Sequence, residues 1–416
     1  MGIRGWRLAV AVIAVVLYGP DVVPGFSRAI SDVVPGFSRA VYAQQYTFDE
    51  VASGLKHPDA ATRLRAIQIL KDADSAEAAG PIADVLGDSD DRVQLAAIDA
   101  ERALFTTRPV ARRRKIGFVV EVRSVAGGEA AAEGQLALKA RGVPAQVLTG
   151  LAVALRDNNP RVRGEVIHLT SLLASHACGA SNAPTAELCG HIGNAVIANI
   201  NARDPLLRRA AMQTLGALRY AGAEQALSDQ LSFYKTGPDA LAALEGLAGI
   251  GLPASTSIFQ RLLTSSNADM RRLAVEGLAR AGERETLPQL QQMGQAERSG
   301  GVLLALHYAN LKLGEPAGRL SEVVAALRTP AQRSLGLKYL LDLARSTAPM
   351  LADSLRDQSA DVRRLVADVL GFSRDDTVIG ALEAVRKDTD PDVAAAAQQA
   401  IQRINLDRAD DTASAR

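Results

Sequence analysis

Large aromatic side chains are scarce in this chain of 416 residues, where phenylalanine, tyrosine and tryptophan together make up 4%. Such side chains supply much of the packing in most compact cores. Alanine, leucine, valine and glycine are abundant instead, and small residues suit helices whose backbones approach one another closely. The composition therefore argues against one large globular core and favours stacked helices.

An excess of charge of either sign is also missing. The chain has 47 basic and 46 acidic residues, which gives a formal net charge of +1 at pH 7. Proteins that bind nucleic acid through electrostatic attraction carry a clear basic excess, usually on one face. We therefore expect no nucleic-acid partner.

No apolar run is long enough to cross a membrane. The longest is Leu8–Tyr18, preceded by Arg4 and Arg7, and a spanning helix needs about 20 apolar residues. A positive start followed by a short apolar run predicts a secretory signal peptide, residues 1–43, cleaved after Ala43. The stretch DVVPGFSRA occurs twice within it, which indicates a local duplication. The protein should be exported to the periplasm or the medium, with a membrane tether as the alternative if the segment is not cleaved.

Beyond the export segment, one pattern recurs. An apolar residue followed by arginine opens a helix-like apolar stripe at Leu64-Arg65, Val162-Arg163, Leu207-Arg208, Met270-Arg271 and Val362-Arg363. The pattern recurs in weaker form at Val393, where the apolar residue is kept and the arginine is lost. The distance from Leu207 to Met270 is about twice the distance from Val362 to Val393. A period near 31 built from two helices predicts an α-solenoid, in which each helix pair contacts only its neighbours.

This pattern resembles the HEAT repeat family, especially its short bacterial form, which also occurs in phycobilin lyases. The resemblance extends over residues 46–406 and implies an all-α, right-handed superhelix of about eleven helix pairs. It also implies a ladder between neighbouring repeats, made by a turn acid and a helix arginine. The matching residues are Asp204 with Arg208, Asp269 with Arg271, and Asp361 with Arg363.

The domain organisation follows from these segments. The export segment 1–43 precedes a repeat region 44–406, which contains an inserted loop at 177–189 and a poorly formed unit at 109–142. The final stretch, 407–416, is polar and is expected to fray.

The inserted loop contains the only two cysteines, Cys178 and Cys189. In an exported protein, two cysteines flanking a flexible stretch favour a disulfide. Free thiols are an alternative. A zinc site formed by His176, Cys178, Cys189 and His191 is another, because those four side chains are common zinc ligands.

Sequence signatures of enzymes are missing. None of the five histidines is followed by glutamate, so the His-Glu pairs of HEAT-like di-iron oxygenases are absent. A Gly-x-Ser-x-Gly elbow, a phosphate loop and a His-Glu-x-x-His motif are absent too. The basic run 108–115 is interpreted as a solvated surface rather than a polyanion site, and His307 as a candidate for an inner binding surface.

We therefore expect a monomeric, non-enzymatic binding or scaffolding module, which needs no cofactor and binds a protein or peptide partner through the inner, second helices. The alternative is a HEAT-like enzyme or a chromophore-handling protein of lyase type, which would use the loop at 174–192. The export signal weakens a lyase role, because such lyases act on cytosolic antenna proteins.

The cysteine pairing can be tested on the intact protein. A Cys178–Cys189 disulfide makes the chain about 2 Da lighter than the dithiol form, because its formation removes two hydrogen atoms. Intact-mass measurement of the mature chain before and after reduction should show this shift. An unchanged mass would contradict the disulfide.

Overall fold

Helices make up the fold. The computed structural model describes residues 47–107, 134–178, 183–314 and 320–414. Within these ranges there is no β-strand, and the only isolated bridge joins Thr106 to Leu138. The chain divides into two compact units, residues 1–104 and 105–416. None of the described helices is both long and apolar enough to cross a membrane.

Most of the described helices follow one another with short connections, and the longest separation is between α4 and α5. In chain order they are α1 Phe48–Gly54, α2 Ala60–Ala73, α3 Ala79–Ala83, α4 Asp91–Phe105, α5 Ala145–Ala154, α6 Pro160–Cys178, α7 Ala183–Ile197, α8 Pro205–Ala217, α9 Glu224–Tyr234, α10 Gly237–Ile250, α11 Thr256–Leu262, α12 Ala268–Ala281, α13 Leu287–Ala296, α14 Gly300–Lys312, α15 Leu320–Ala325, α16 Pro330–Ala352, α17 Ala360–Leu370, α18 Ile379–Val385 and α19 Pro391–Ser414.

The helices form consecutive pairs of a first and a second helix, except that α16 extends through the position of the next first helix and is followed by the second helix α17. Over part of the chain the second helices begin at a regular interval. From α8 onward these starting points are almost evenly spaced, at Pro205, Gly237, Ala268, Gly300, Pro330, Ala360 and Pro391. Local chemistry fixes several of them, since Asp204 and Asn267 accept hydrogen bonds from the first backbone N–H groups of their helices. Capping of this kind satisfies donors that have no partner inside the helix.

Many second helices carry an arginine as their fourth residue. Its guanidinium donates a hydrogen bond to the backbone carbonyl six residues earlier, at the end of the preceding first helix or in the turn. This bond occurs at Arg63, Arg163, Arg208, Arg271, Arg333 and Arg363. The bond closes each turn in the same way. In the first described pair the repeated arginine is therefore Arg63, and not Arg65, which the apolar-arginine pattern of the sequence indicates.

The C-terminal ends of the second helices use glycine in two ways. Gly251, Gly282 and Gly314 have positive φ angles and follow the helix, as expected for a left-handed cap. At Gly216 the reason is different, because a Cβ atom there would lie 2.8 Å from the Cα of Gly246. The backbones of α8 and α10 therefore approach as closely as backbones can.

Contacts within the second unit are not limited to neighbouring pairs. The Arg403 guanidinium of α19 donates a 2.6 Å hydrogen bond to the carbonyl of Leu138, which lies near the start of the same unit. Arg403 is buried and also covers the Phe372 ring, 3.9 Å from its centroid. Burial lowers the pKa of Arg403 to about 10. The expectation that each pair contacts only its neighbours is therefore wrong for this unit.

Several segments differ from expectation or lie outside the description. Helix α19 continues to Ser414, so residues 407–414 of the polar end are helical. Asp407 lies 3.5 Å from Arg374, which helps to hold this end. The inserted loop is also shorter than expected, because α6 extends to Cys178 and α7 begins at Ala183. The export segment, the duplicated stretch and the basic run 108–115 lie outside the described residues.

A polar residue replaces a core leucine in three second helices. The eleventh residue is a buried leucine in six of the described second helices: Leu70, Leu215, Leu247, Leu278, Leu340 and Leu370. In α4, α6 and α14 the same position is Glu101, Thr170 or Asn310. Each of these buried side chains has at least one oxygen without a hydrogen-bond partner among the described residues. Burial raises the pKa of Glu101 well above its usual value.

Replacing Glu101 with leucine should stabilise the protein, and more so at high pH. Because the pKa is raised in the native state, folding favours the protonated form. Stability is therefore lost as pH rises above the unfolded value of about 4.3. We expect Glu101→Leu to add about 1–3 kcal/mol at pH 8 and less at pH 4. Thermal unfolding followed by circular dichroism at both pH values measures the difference.

An exposed acid in the same unit provides the control for this prediction. Glu77 lies on the surface, so Glu77→Leu should change the melting temperature little at either pH. An equal shift for Glu101→Leu at pH 4 and pH 8 would contradict the assigned pKa direction.

Candidate functional site

The two cysteines are joined to each other. Cys178 ends α6, Cys189 lies within α7, and their sulfur atoms form a disulfide with Cα atoms 5.9 Å apart. The bond ties together two consecutive helices at a place where the second helices start further apart than they do later in the chain. Closing about ten residues in this way stabilises a fold by roughly 2–3 kcal/mol on the chain-entropy model.

The disulfide removes the thiolates that the zinc alternative required. A zinc-binding cysteine must be a free thiolate, and both sulfur atoms are bonded to each other. His191 is exposed, and the side chain of His176 lies outside the described part of the structure. No group of three or more histidine, cysteine, aspartate or glutamate side chains in the described ranges has the geometry of a metal site.

The arginines expected to form a ladder do connect consecutive helix pairs, but through other acceptors. Arg208 bonds to Asp239, Arg271 to Glu297 and Arg363 to Asp388, with nitrogen–oxygen distances between 2.8 and 3.0 Å. Arg163 uses the Asn199 side chain at 2.8 Å. Each acceptor lies in or beside the turn of the following pair, so every bond spans two pairs.

The turn acids proposed from the sequence have different roles. Asp204 caps α8, Asp269 lies 3.6 Å from Arg272 on its own helix, and Asp361 lies 3.8 Å from Arg333 of the preceding pair. The acceptor of the ladder is more often the acid two residues before the cap. Asp88, Glu297 and Asp388 each accept both an arginine and the backbone N–H two residues later. The spacing acid-x-cap is the sequence signal that would have found them.

A cluster of charged residues that the sequence did not reveal lies on the second helices of unit 2. It contains two carboxylates, five cationic groups and two tyrosines, and we call it the ionic cluster. Its members are Arg219, Arg272, Glu276, Arg280, Tyr308, Lys312, Lys338, Tyr339 and Asp342. They come from α12, α14, α16 and the residues just after α8.

Glu276 occupies one half of the ionic cluster and is completely buried. Arg272 and Lys338 contact its carboxylate at 2.6 and 2.7 Å, and the Tyr339 hydroxyl donates to it at 2.8 Å. Burial by itself raises the pKa of Glu276, but Lys338, Arg272 and Arg280 lower it well below its usual value. The group is therefore ionised at neutral pH and has no tendency to accept a proton.

Asp342 occupies the other half, with 8% of its side chain exposed. Arg280 and Lys312 contact it at 2.8 and 3.1 Å, and the Tyr308 hydroxyl donates a 2.5 Å hydrogen bond. Arg219 reaches it at 2.5 Å from a position 123 residues earlier in the chain. Burial raises the pKa of Asp342, while Arg280, Arg219 and Lys312 outweigh that effect and hold the pKa well below its usual value.

The two tyrosines connect the two halves. Their rings stack with centroids 4.4 Å apart and planes at 15°, and the Arg280 guanidinium lies 5.3 Å from the centre of the Tyr308 ring. Burial raises the pKa of both hydroxyl groups well above 10. Each tyrosine is therefore a fixed hydrogen-bond donor to one carboxylate.

The residue Arg219, which contacts Asp342, has a left-handed backbone conformation. Its φ angle is 51°, in the left-handed region, where most residues other than glycine are strained. The neighbouring pairs use Gly251, Gly282 and Gly314 at the corresponding point after the helix. Asp74 and Arg374 occupy the same position after α2 and α17 with φ angles of 49° and 58°, so residues other than glycine also adopt this conformation elsewhere in the chain.

The ionic cluster acts as a structural centre with a cationic surplus. Five cations surround two carboxylates, and 59% of the Arg219 side chain is exposed. The carboxylates are enclosed by protein cations, so they are poorly suited to binding a metal or acting as bases. His307, a candidate for the inner binding surface, is half-buried next to Tyr308. The next residue, Tyr308, contacts the ionic cluster through its hydrogen bond to Asp342 and its stacking on Tyr339.

Comparisons with known proteins do not identify a family. No family model and no curated protein matches the chain. Among solved structures, a crystal structure of an engineered protein is similar with a TM-score of 0.39 and 14% identity, covering 86% of this chain and 98% of that one. Human deoxyhypusine hydroxylase in complex with glycerol gives a TM-score of 0.28 and 16% identity, covering 63% of this chain and 97% of that one. Neither similarity supports an assignment.

Removing the charge of Asp342 should destabilise unit 2 strongly. Asp342→Asn keeps the shape of the side chain but leaves Arg280 and Lys312 facing an uncharged amide. Breaking a buried ion pair from one side costs about 3–5 kcal/mol. Urea unfolding followed by the helical circular dichroism signal measures the loss.

A carboxylate on the surface serves as the matched control. Asp361 is 62% exposed, and Asp361→Asn should change the free energy of unfolding by no more than about 0.5 kcal/mol. Because the pKa of Asp342 is lowered, its contribution is present at neutral pH and is lost as pH falls. The Asp342→Asn variant should therefore lose less stability on acidification than the wild type. Equal stabilities at neutral pH would contradict a central role for the ionic cluster.

Proposed function

We propose that this chain is an exported, HEAT-like α-solenoid in which distant pairs also contact one another, and that it binds a protein partner as a scaffold and has no catalytic activity. The even spacing of the second helices from α8 onward supports the repeat architecture. The signal-like N-terminus and the Cys178–Cys189 disulfide support export to the periplasm or the medium.

The observation that carries the binding function is the repeated arginine contact. Arg208, Arg271 and Arg363 each bond to their own turn and to the next helix pair. This contact recurs in several pairs but not in every one, since α10 and α14 have Ala240 and Leu303 at the corresponding position. Where it occurs it fixes a turn against the next pair, and repeat proteins with fixed turns present long, pre-organised surfaces to other proteins.

The ionic cluster limits which surface is available for a partner. Its residues on α12, α14 and α16 lie between the fifth and the thirteenth position of each helix and bond to one another. The turns before these three helices contain exposed residues, such as Ser266, Arg298 and Thr329. We therefore assign partner binding to the turn side of the second helices rather than to their whole length.

Purification of the mature chain, residues 44–416, from its own envelope fraction tests this function. We expect one or a few proteins to be recovered in amounts comparable to the chain, and the recovered protein should bind the purified chain in calorimetry. Failure to recover any specific protein would contradict the scaffold function. Stoichiometric zinc or iron in the purified chain would instead favour the alternative of a HEAT-like enzyme or cofactor-handling protein.

A further inference from the structure

Two neighbouring repeats expose large apolar side chains at two positions that carry none in the other described repeats. Phe233, near the end of α9, is 77% exposed, and Leu206, the second residue of α8, is 47% exposed. Phe233 lies four positions before the start of the second helix α10, and the other repeats can be compared at the same position. In the other described turns the residue there is small or polar: Lys56, Gly87, Arg156, Asn201, Thr264, Ala296, Ala326, Arg356 and Lys387.

Leu206 is unusual in the same comparison. The second residue of the other described second helices is small, charged or proline: Ala61, Arg92, Arg161, Pro238, Asp269, Gly301, Ala331, Asp361 and Asp392. Isolated exposed apolar residues need no explanation. Two departures from the repeat pattern in adjacent pairs, however, mark one place on the turn side.

Two contacts join the segments that carry these residues. Gln230 of α9 donates a 2.9 Å hydrogen bond to Asn201, just before α8. The Arg208 guanidinium of α8 lies 5.3 Å from the centre of the Tyr234 ring. The end of α9 therefore lies along the start of α8, and Phe233 and Leu206 lie between these contacts in their respective segments.

The backbone at this place is strained. Lys235 has φ 59° and ψ −45°, and the N–H of Thr236 donates a 2.6 Å hydrogen bond to the carbonyl of Tyr234. This is a γ-turn with positive φ, which is rare and costly for a residue with a side chain. Strain of this kind is concentrated at functional sites. Here it directs the chain away from α9 immediately after Phe233 and Tyr234.

The charge around the two apolar residues is positive. Arg208 and Arg209 share a single carboxylate, Asp239. Arg203 and Lys235 are exposed. The segments 203–209 and 232–239 together contain four cations and two acids, and the two acids are Asp204 and Asp239. An acidic partner would complement this charge, and a basic one would be repelled.

We propose that Leu206, Phe233, Tyr234, Lys235 and Arg203, which we call the turn-edge patch, form the docking site for an acidic segment of a partner protein. An apolar side chain of that segment would pack on Phe233 and Leu206, and its carboxylates would face Arg203 and Lys235. Exposed aromatic residues surrounded by polar ones are typical energetic centres of protein interfaces. The proposal rests on the proposed function and specifies its surface.

Photo-crosslinking in the producing cells tests the docking site in the full chain. A benzoylphenylalanine placed at position 233 should give a crosslinked product, and digestion should identify a partner segment with more acidic than basic residues. The control has the same photoreactive residue at position 387, the corresponding point of the last described turn, where Lys387 is exposed. We expect the product at position 387 to be at least about tenfold weaker.

Charge reversal tests the electrostatic part. Lys235→Glu together with Arg203→Glu should reduce crosslinking from position 233 by about tenfold or more, whereas Lys387→Glu should leave it unchanged. A basic or neutral crosslinked segment, equal products at positions 233 and 387, or no effect of the double reversal would each overturn the docking site.

The two proposals fail in distinguishable ways. A partner that is recovered by purification and still binds the Phe233→Ser variant with unchanged affinity would overturn the turn-edge patch and leave the scaffold function standing. Absence of any specific partner from the envelope fraction would overturn the scaffold function itself. The Phe233→Ser change lies on the surface, so its circular dichroism spectrum and melting temperature should match those of the wild type.

Discussion

The buried carboxylate of Asp342 is the interaction on which the second unit depends. An ionised group in a low-dielectric interior is costly unless cations and hydrogen-bond donors surround it. Arg219, Arg280 and Lys312 supply the charge, and Tyr308 donates a hydrogen bond. These residues belong to different helix pairs, so the ends of those pairs must converge on one point.

Small residues make the convergence possible. The backbones of α8 and α10 touch at Gly216 and Gly246, where no side chain separates them. At Gly251 a Cβ atom would collide with Arg280, which would displace the guanidinium from Asp342. The abundance of glycine and alanine thus has a specific consequence, because it lets several helices place charged side chains around the same two carboxylates.

The opposite ends of the second helices are fixed by a different device. There most of the repeated arginines bond to a carbonyl of their own turn and to a side chain of the next pair, as Arg271 does with Ser265 and Glu297. Helix α12 is therefore held at its fourth residue by the ladder and at its fifth, ninth and thirteenth residues by the ionic cluster. The surface left for recognition lies at the turns, where Phe233 and Leu206 depart from the repeat pattern.

Local features of the chain are enough to place the helices. Capping residues, proline at first helical positions and the regular interval between repeats predict where the second helices begin, because capping and proline depend only on neighbouring backbone groups. The proximity of Cys178 and Cys189 was predictable for a similar reason, since they are close to each other in the sequence. The arginines of the ladder are visible in the sequence as well, although the apolar-arginine pattern indicates Arg65 where the structure uses Arg63.

The partners of those arginines could not be determined from sequence alone, because every turn contains several acids and only packing decides which one faces the preceding pair. The ionic cluster could not be predicted from the sequence either, because Arg219 and Asp342 are 123 residues apart and neither belongs to a motif. The contact between Arg403 and Leu138 also depends on how each pair is rotated relative to the next. Small rotations add up along the chain, and only the tertiary structure shows where they bring distant residues together.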